Sequence, residues 1–173
     1  STWSIDGVGL VGDLSENISY EVYAVGGLDG GDFTENGGIR GGREAAYPGF
    51  EKPSITGRAD YFGIDGLRVG GGFYMGSTEY GKKGADTGAD GSEVHIASVD
   101  FEYEIGSLSL NGLLVAGQHD GNSALAATDF GGKYVSIGYE VWRDGEKAII
   151  PFVRLSEYDT HEASASDSSE AEE

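Results

Sequence analysis

The chain has 173 residues, enough for one domain with a real core, and it carries 31 Gly, 3 Pro and no Cys. Absence of Cys excludes disulfides and thiol chemistry, and glycine this abundant with so little proline excludes a collagen-like or proline-rich linker chain. A net charge of −19 lacks the basic footprint that a nucleic-acid partner demands, and no apolar run is long enough for a transmembrane helix, which leaves alternating barrel strands open.

Positions 3–14 (WSIDGVGLVGDL) form the first predicted strand, with Val8, Leu10 and Leu14 on one side and Gly7, Gly9, Val11 and Asp13 on the other. Ser15, Glu16 and Asn17 turn the chain. Ile18, Tyr20, Val22 and Ala24 then alternate with Ser19, Glu21 and Tyr23. Residues 27–53 form a long polar loop carrying Arg40, Arg43 and Lys52, and a loop of this length is commonly functional. The stretch 55–76 reads as a hairpin. Ile55, Gly57, Ala59 and Tyr61 oppose Thr56, Arg58 and Asp60, and after Asp65-Gly66 the set Leu67, Val69, Gly71, Phe73 and Met75 opposes Arg68, Gly70, Gly72 and Tyr74.

A second loop at 81–92 precedes a fifth strand, 95–105, in which Val99, Phe101, Tyr103 and Ile105 oppose Ser98, Asp100, Glu102 and Glu104. Gly106-Ser107 turns into a sixth strand, where Leu108, Leu110, Leu114 and Ala116 alternate with Ser109, Asn111, Leu113 and Val115. A third loop is expected at 119–132. Val135, Ile137, Tyr139 and Val141 then oppose Ser136, Gly138, Glu140 and Trp142, and Asp144-Gly145 leads to a last strand at 148–158. Pro151 cannot donate to a sheet ladder and marks an irregularity. Residues 1–160 are read as strands and loops of one β-unit, and 161–173, rich in Ser, Ala and acid, as a disordered tail or outer loop.

The fold class expected is all-β: a meander of eight antiparallel strands with short turns at one end and long loops at the other. That asymmetry, with Tyr61, Tyr103 and Tyr139 near the ends of the apolar faces, is the pattern of a transmembrane β-barrel in an outer membrane. A soluble β-barrel that binds a small ligand remains the alternative from another class.

The run from Ile150 to Thr160, IPFVRLSEYDT, resembles the PFVRYExYDT-like strand of the phosphate-selective porin O and P type family of Gram-negative outer membranes. GGKYVSIGYE at 131–140, GLVGDLSENISYEVYAVGGLD at 9–29 and TGRADYF at 56–62 are similar to other strands of that family. The resemblance implies a porin in the cell outer membrane, surrounded by lipid, passing small solutes or ions and forming a homotrimer, with neither cofactor nor enzymatic activity. Family members are longer, and bacterial barrels usually end in a strand with a terminal aromatic, whereas this chain ends SSEAEE. The expectation is therefore a fragment, eight consecutive strands of a larger barrel; a complete eight-stranded barrel acting as anchor or adhesin is the alternative.

With apolar faces toward lipid, Glu21, Thr56, Arg58, Asp60, Arg68, Asp100, Glu102, Ser109, Asn111, Glu140 and Arg154 are the candidate pore-lining residues. They serve either to tune the passage of solutes or as a salt-bridge network that supports the wall. Arg40 and Arg43 are candidates for a constriction if the 27–53 loop folds inward. Lumen carboxylates outnumber basic residues, so the phosphate selectivity in the family name does not follow from this sequence. Glycines on the lumen side (Gly7, Gly9, Gly70, Gly72, Gly138) are expected to leave space unfilled, favouring a barrel wider than eight strands.

Other motifs yield to simpler readings. Gly7 to Gly12 fits GxGxxG, but a turn and a second strand follow where a dinucleotide site needs a helix. His95, His119 and His161 lack metal-ligand spacing and read as loop or strand-end residues. Asp86, Asp90 and Glu93 lack the ligand order of a calcium loop.

Overall fold

The computed structural model describes residues 6–28, 39, 53–77, 93–120 and 127–164, with the backbone alone at 120, 127–128 and 160–164. Arg40, Arg43, Asp86, Asp90 and the tail beyond 164 lie outside these residues. The strands are β1 (Gly7–Ser15), β2 (Ile18–Val25), β3 (Ser54–Ile64), β4 (Leu67–Ser77), β5 (Glu93–Ile105), β6 (Leu108–Asp120), β7 (Ala127–Tyr139), β8 (Trp142–Asp144), β9 (Lys147–Ile149) and β10 (Phe152–Ser164). One antiparallel meander holds eight of them in the order β1-β2-β3-β4-β5-β6-β7-β10, and β8 and β9 form a separate two-stranded ribbon. The sheet is open. β1 and β10 are its two edges and do not pair with each other.

Register carries the alternation across the whole sheet. Leu67, Tyr103, Leu110, Ile137 and Val153 stand opposite one another in one cross-strand row. The adjacent row is Arg68, Glu102, Asn111, Ser136 and Arg154. Because side chains alternate faces, a register slip of one residue anywhere would have mixed these sets. On β3 to β6 the apolar face carries no charge over 55–64, 67–75, 97–105 or 108–116. Nine residues span about 26 Å along a strand at ~3.3 Å per residue.

Exposure is inverted relative to a sheet that covers an apolar core in water. Apolar-face residues stand open, with Leu10 at 71%, Val99 at 56% and Leu155 at 70%. On β6, Leu114 of that face is exposed, whereas Leu113 and Val115 of the opposite face are half-buried. The buried hydrophobic cluster is Val25, Leu28, Tyr74 and Val94, with Tyr23, Ile39 and Ile96 packed against it. Register puts all its strand members on the polar face, in the rows nearest the long connections.

Three hairpin turns fall where Gly was expected to make them, and Gly66, Gly106 and Gly145 all have positive φ, at 73°, 59° and 58°. Two connections differ from expectation. The loop expected at 119–132 is shorter, because β6 continues to Asp120 and β7 begins at Ala127. Gln118 pairs with Asp129 and Gly117 with Phe130, so Gly and polar residues that read as loop extend the ladder. His119 accordingly is the penultimate residue of β6, 1% exposed, a strand-end residue and not a loop one. The last hairpin does turn at Asp144-Gly145, but its pairing slips by one residue between Gly138 opposite Phe152 and Trp142 opposite Ile149. Pro151 sits at the slip, its carbonyl accepting from the N–H of Tyr139, and the outer part of the hairpin separates as β8–β9. β10 runs on to Ser164, past the expected end of the last strand.

Glycine is paired with aromatic rings in this sheet. Tyr23 lies opposite Gly9, Tyr20 opposite Gly12, Phe73 opposite Gly57, Phe101 opposite Gly112 and Phe130 opposite Gly117. A Cβ added at Gly9, Gly57, Gly112 or Gly117 would come within 2.2–2.8 Å of the facing ring. The space above these glycines is therefore filled by the neighbouring strand's ring, an arrangement that strengthens glycine-containing strands. This corrects the expectation of empty space at lumen-side glycines: Tyr23 covers Gly9, the Arg58 guanidinium covers Gly70, and Ser109 Oγ would be 2.6 Å from a Cβ on Gly138.

Candidate functional site: an ionic ring on the polar face

The middle of the polar face is built by β3, β4 and β5. Asp60 of β3, Gly70 of β4 and Asp100 of β5 lie opposite one another in one cross-strand row. Arg58 is two residues from Asp60 on the same face, and Arg68 is two residues from Gly70. Glycine in the centre of the row leaves both guanidiniums room to converge between the two aspartates.

They close a ring. Arg58 grips Asp60 with two bonds, Nε to Oδ2 at 2.7 Å and Nη2 to Oδ1 at 2.6 Å. Its Nη1 reaches Asp100 Oδ1 at 2.8 Å. Arg68 Nη1 donates to Asp60 Oδ1 at 2.8 Å, and Arg68 Nη2 contacts Asp100 Oδ2 at 2.8 Å. Each arginine bridges both aspartates and each aspartate receives both arginines. Glu102 adds an outer contact, 3.3 Å from Arg68. Side-chain exposure is 16% for Asp60 and 14% for Asp100 against 61% for Glu102. The forked guanidinium suits such two-sided carboxylate binding, which a lysine ammonium cannot reproduce.

Open hollows flank the ring along the strands. One, of about 340 Å³, is lined by Glu21, Tyr23, Thr56, Arg58, Ile96 and Ser98. The other, of about 670 Å³ at the short-turn end, includes Phe62, Arg68, Glu102, Glu104, Ser109 and Asn111. Within the first, Glu21 accepts a 3.0 Å bond from the Tyr23 hydroxyl, and Thr56 Oγ1 donates to the carbonyl of Phe73 at 2.8 Å. Glu21 stands opposite Arg58 but forms no ion pair among the described residues, because Arg58 is committed to the aspartates. Beyond this hollow lies the apolar patch to which Leu28 and Ile39 belong; the other residues of 29–52 lie outside the described ones.

Two candidates lie apart from this group. Arg154 is on edge strand β10, its guanidinium 4.3 Å from the centroid of Tyr134. Glu140 lies past the end of β7, where its Oε1 accepts from Arg143 Nε at 2.8 Å. The Arg143 hydrogen bond, reinforced by its charge, holds the Glu140 carboxyl below the usual range.

The sequence put Gly70 on the polar face but not between the two aspartates, and it did not point to Leu28. Gly70 needs the register of three strands to be seen between two aspartates, and Leu28 is one apolar residue at the start of a polar loop. No group of His, Asp and Glu among the described residues is arranged to hold a metal. Comparison of the chain with family models, curated proteins and solved structures finds no match.

Proposed function

We propose that this chain is part of the wall of a transmembrane antiparallel β-barrel, an outer-membrane porin through which small hydrophilic solutes or ions diffuse passively. The observation that carries this reading is the inverted sheet. Charged and hydrogen-bonding side chains occupy the sheltered face, and on the other an apolar band stands open, free of charge across β3 to β6 and interrupted on β7 and β10 by the exposed Lys133–Glu157 pair. A soluble sheet with one solvated face buries its apolar side, whereas a barrel wall in lipid does the reverse.

The open edges support a larger barrel. Backbone N–H and C=O groups on β1 and β10 must find partners in hydrocarbon, where water supplies none. Further strands closing the ring satisfy them, and an eight-stranded anchor does so only by pairing β1 with β10. The ionic ring fits both roles expected of the polar face: it ties three strands together and fixes the charges that solutes meet. The packing of Leu28 and Ile39 on the inner patch supports an inward course for the 27–53 connection, and hence a constriction. The motif resemblance to phosphate-selective porins agrees with the barrel, and homotrimers are the assembly it implies. No bond chemistry is assigned.

The test is folding and conductance. The intact protein should acquire its strand content in detergent micelles or bilayers, and should give discrete conductance steps in planar membranes. A monodisperse folded protein in detergent-free buffer would overturn the reading in favour of the soluble ligand-binding barrel. Detergent-dependent folding without conductance would favour the anchor.

A further inference from the structure

We infer that the pore wall formed by this chain favours cations, because its central arginines are cancelled and carboxylates are left over on both sides of them. This inference rests on the porin reading. A lumen arginine draws anions when its charge is free. Arg58 and Arg68 are not free: each is held by both Asp60 and Asp100, and Arg68 also by Glu102. Two arginines against two aspartates leave the ring neutral, and Glu102 beside it adds a carboxylate that is not cancelled.

The hollows on either side carry further carboxylate. Glu21 lines the first and Glu104 the second, alongside Glu102, and neither Glu21 nor Glu104 forms an ion pair among the described residues. Asp13, on the same face through its pairing with Ser19, adds another. Of the other described arginines, Arg154 stands at the β10 edge over Tyr134, and Arg143 is committed to Glu140 at the short-turn end, where its charge also reaches Glu104 without an ion pair. A permeating ion therefore meets Glu21, a cancelled ring, and then Glu102 and Glu104. Clefts lined by one sign of charge concentrate ions of the other sign. The solute class is thus small cations or hydrophilic molecules with positive charge, not phosphate.

Reversal potential across planar bilayers, with the intact protein in a potassium chloride gradient, decides the matter. The expected result is potassium permeability severalfold above chloride, falling as ionic strength rises and the Debye length shrinks from ~10 Å at 0.1 M to ~3 Å at 1 M. Glu21→Gln combined with Glu104→Gln should lower the potassium-to-chloride ratio while the conductance steps persist, since neither residue takes part in the ring. Conductance with chloride preference, or a ratio unmoved by the double variant, overturns the inference and leaves the pore intact. Absence of conductance overturns the porin reading and the inference with it.

Discussion

Arg58 lies directly over Gly70: a Cβ on Gly70 would come within 2.0 Å of Arg58 Nη2 and 2.6 Å of Asp60 Oδ1. The ring exists because one position between two aspartates has no side chain. Gly70→Ala should expel the guanidinium and break the fork to Asp60, costing about 1–3 kcal/mol as an overpacked site does. Unfolding in detergent by urea measures it. Arg58→Ala in the Gly70→Ala background should cost much less than Arg58→Ala alone, because contacting residues do not add.

Asp100 and Glu102 both contact Arg68, yet their removal should differ. Asp100 is sheltered and receives two arginines, so Asp100→Asn should cost about 1.5–3 kcal/mol, the range for hydrogen bonds to charged groups. Glu102 is exposed and makes longer contacts, so Glu102→Gln should cost below ~1 kcal/mol. Paired urea titrations compare them, and equal losses would contradict the ring as the unit of stabilisation.

Leu28 is 1% exposed against Val25, Tyr74 and Val94. Leu28→Ala should loosen the connection after β2 by about 2 kcal/mol or more. Single-channel conductance should rise, with strand content by circular dichroism unchanged. Unaltered conductance would show that this segment does not narrow the path.

Glu140 should titrate below the usual carboxylate range, and Arg143→Ala should return it there. A folded-state pKa below the unfolded one means that the pair stabilises above the unfolded value and loses that stabilisation as pH falls through the folded value. Carboxyl carbon shifts followed by NMR read both titrations directly.

Much of this architecture was legible in the chain. Alternation at Val99 to Ile105 and at Leu108 to Leu114 needs no tertiary information, and Asp65-Gly66 marks its turn by composition. That Arg58 and Asp60 share a face with Arg68 also follows from period two. Closure of the four side chains into a ring does not, because it requires the offsets of β3, β4 and β5, which no single strand contains. His119 read as loop or strand end because Gly117 and Gln118 beside it are poor strand signals, and the ladder to β5, which pairs His119 with Val94, overrides them. The slip near Pro151 was legible as an irregularity but not in its form.

The glycines facing aromatic rings have a consequence for how this sheet assembles. A single layer has no packed interior to choose among pairings, and its faces would tolerate a slip of two residues, which keeps inside and outside apart. Sliding β6 by two along β5 would take Gly112 away from Phe101 and bring Leu110 or Leu114 against the ring. The same holds for Tyr20 at Gly12, which would meet Leu10 or Leu14, and for Phe73 at Gly57, which would meet Ile55 or Ala59. Each ring and its glycine act as key and socket, so the offset is selected at β1–β2, β3–β4, β5–β6 and β6–β7 as the wall grows.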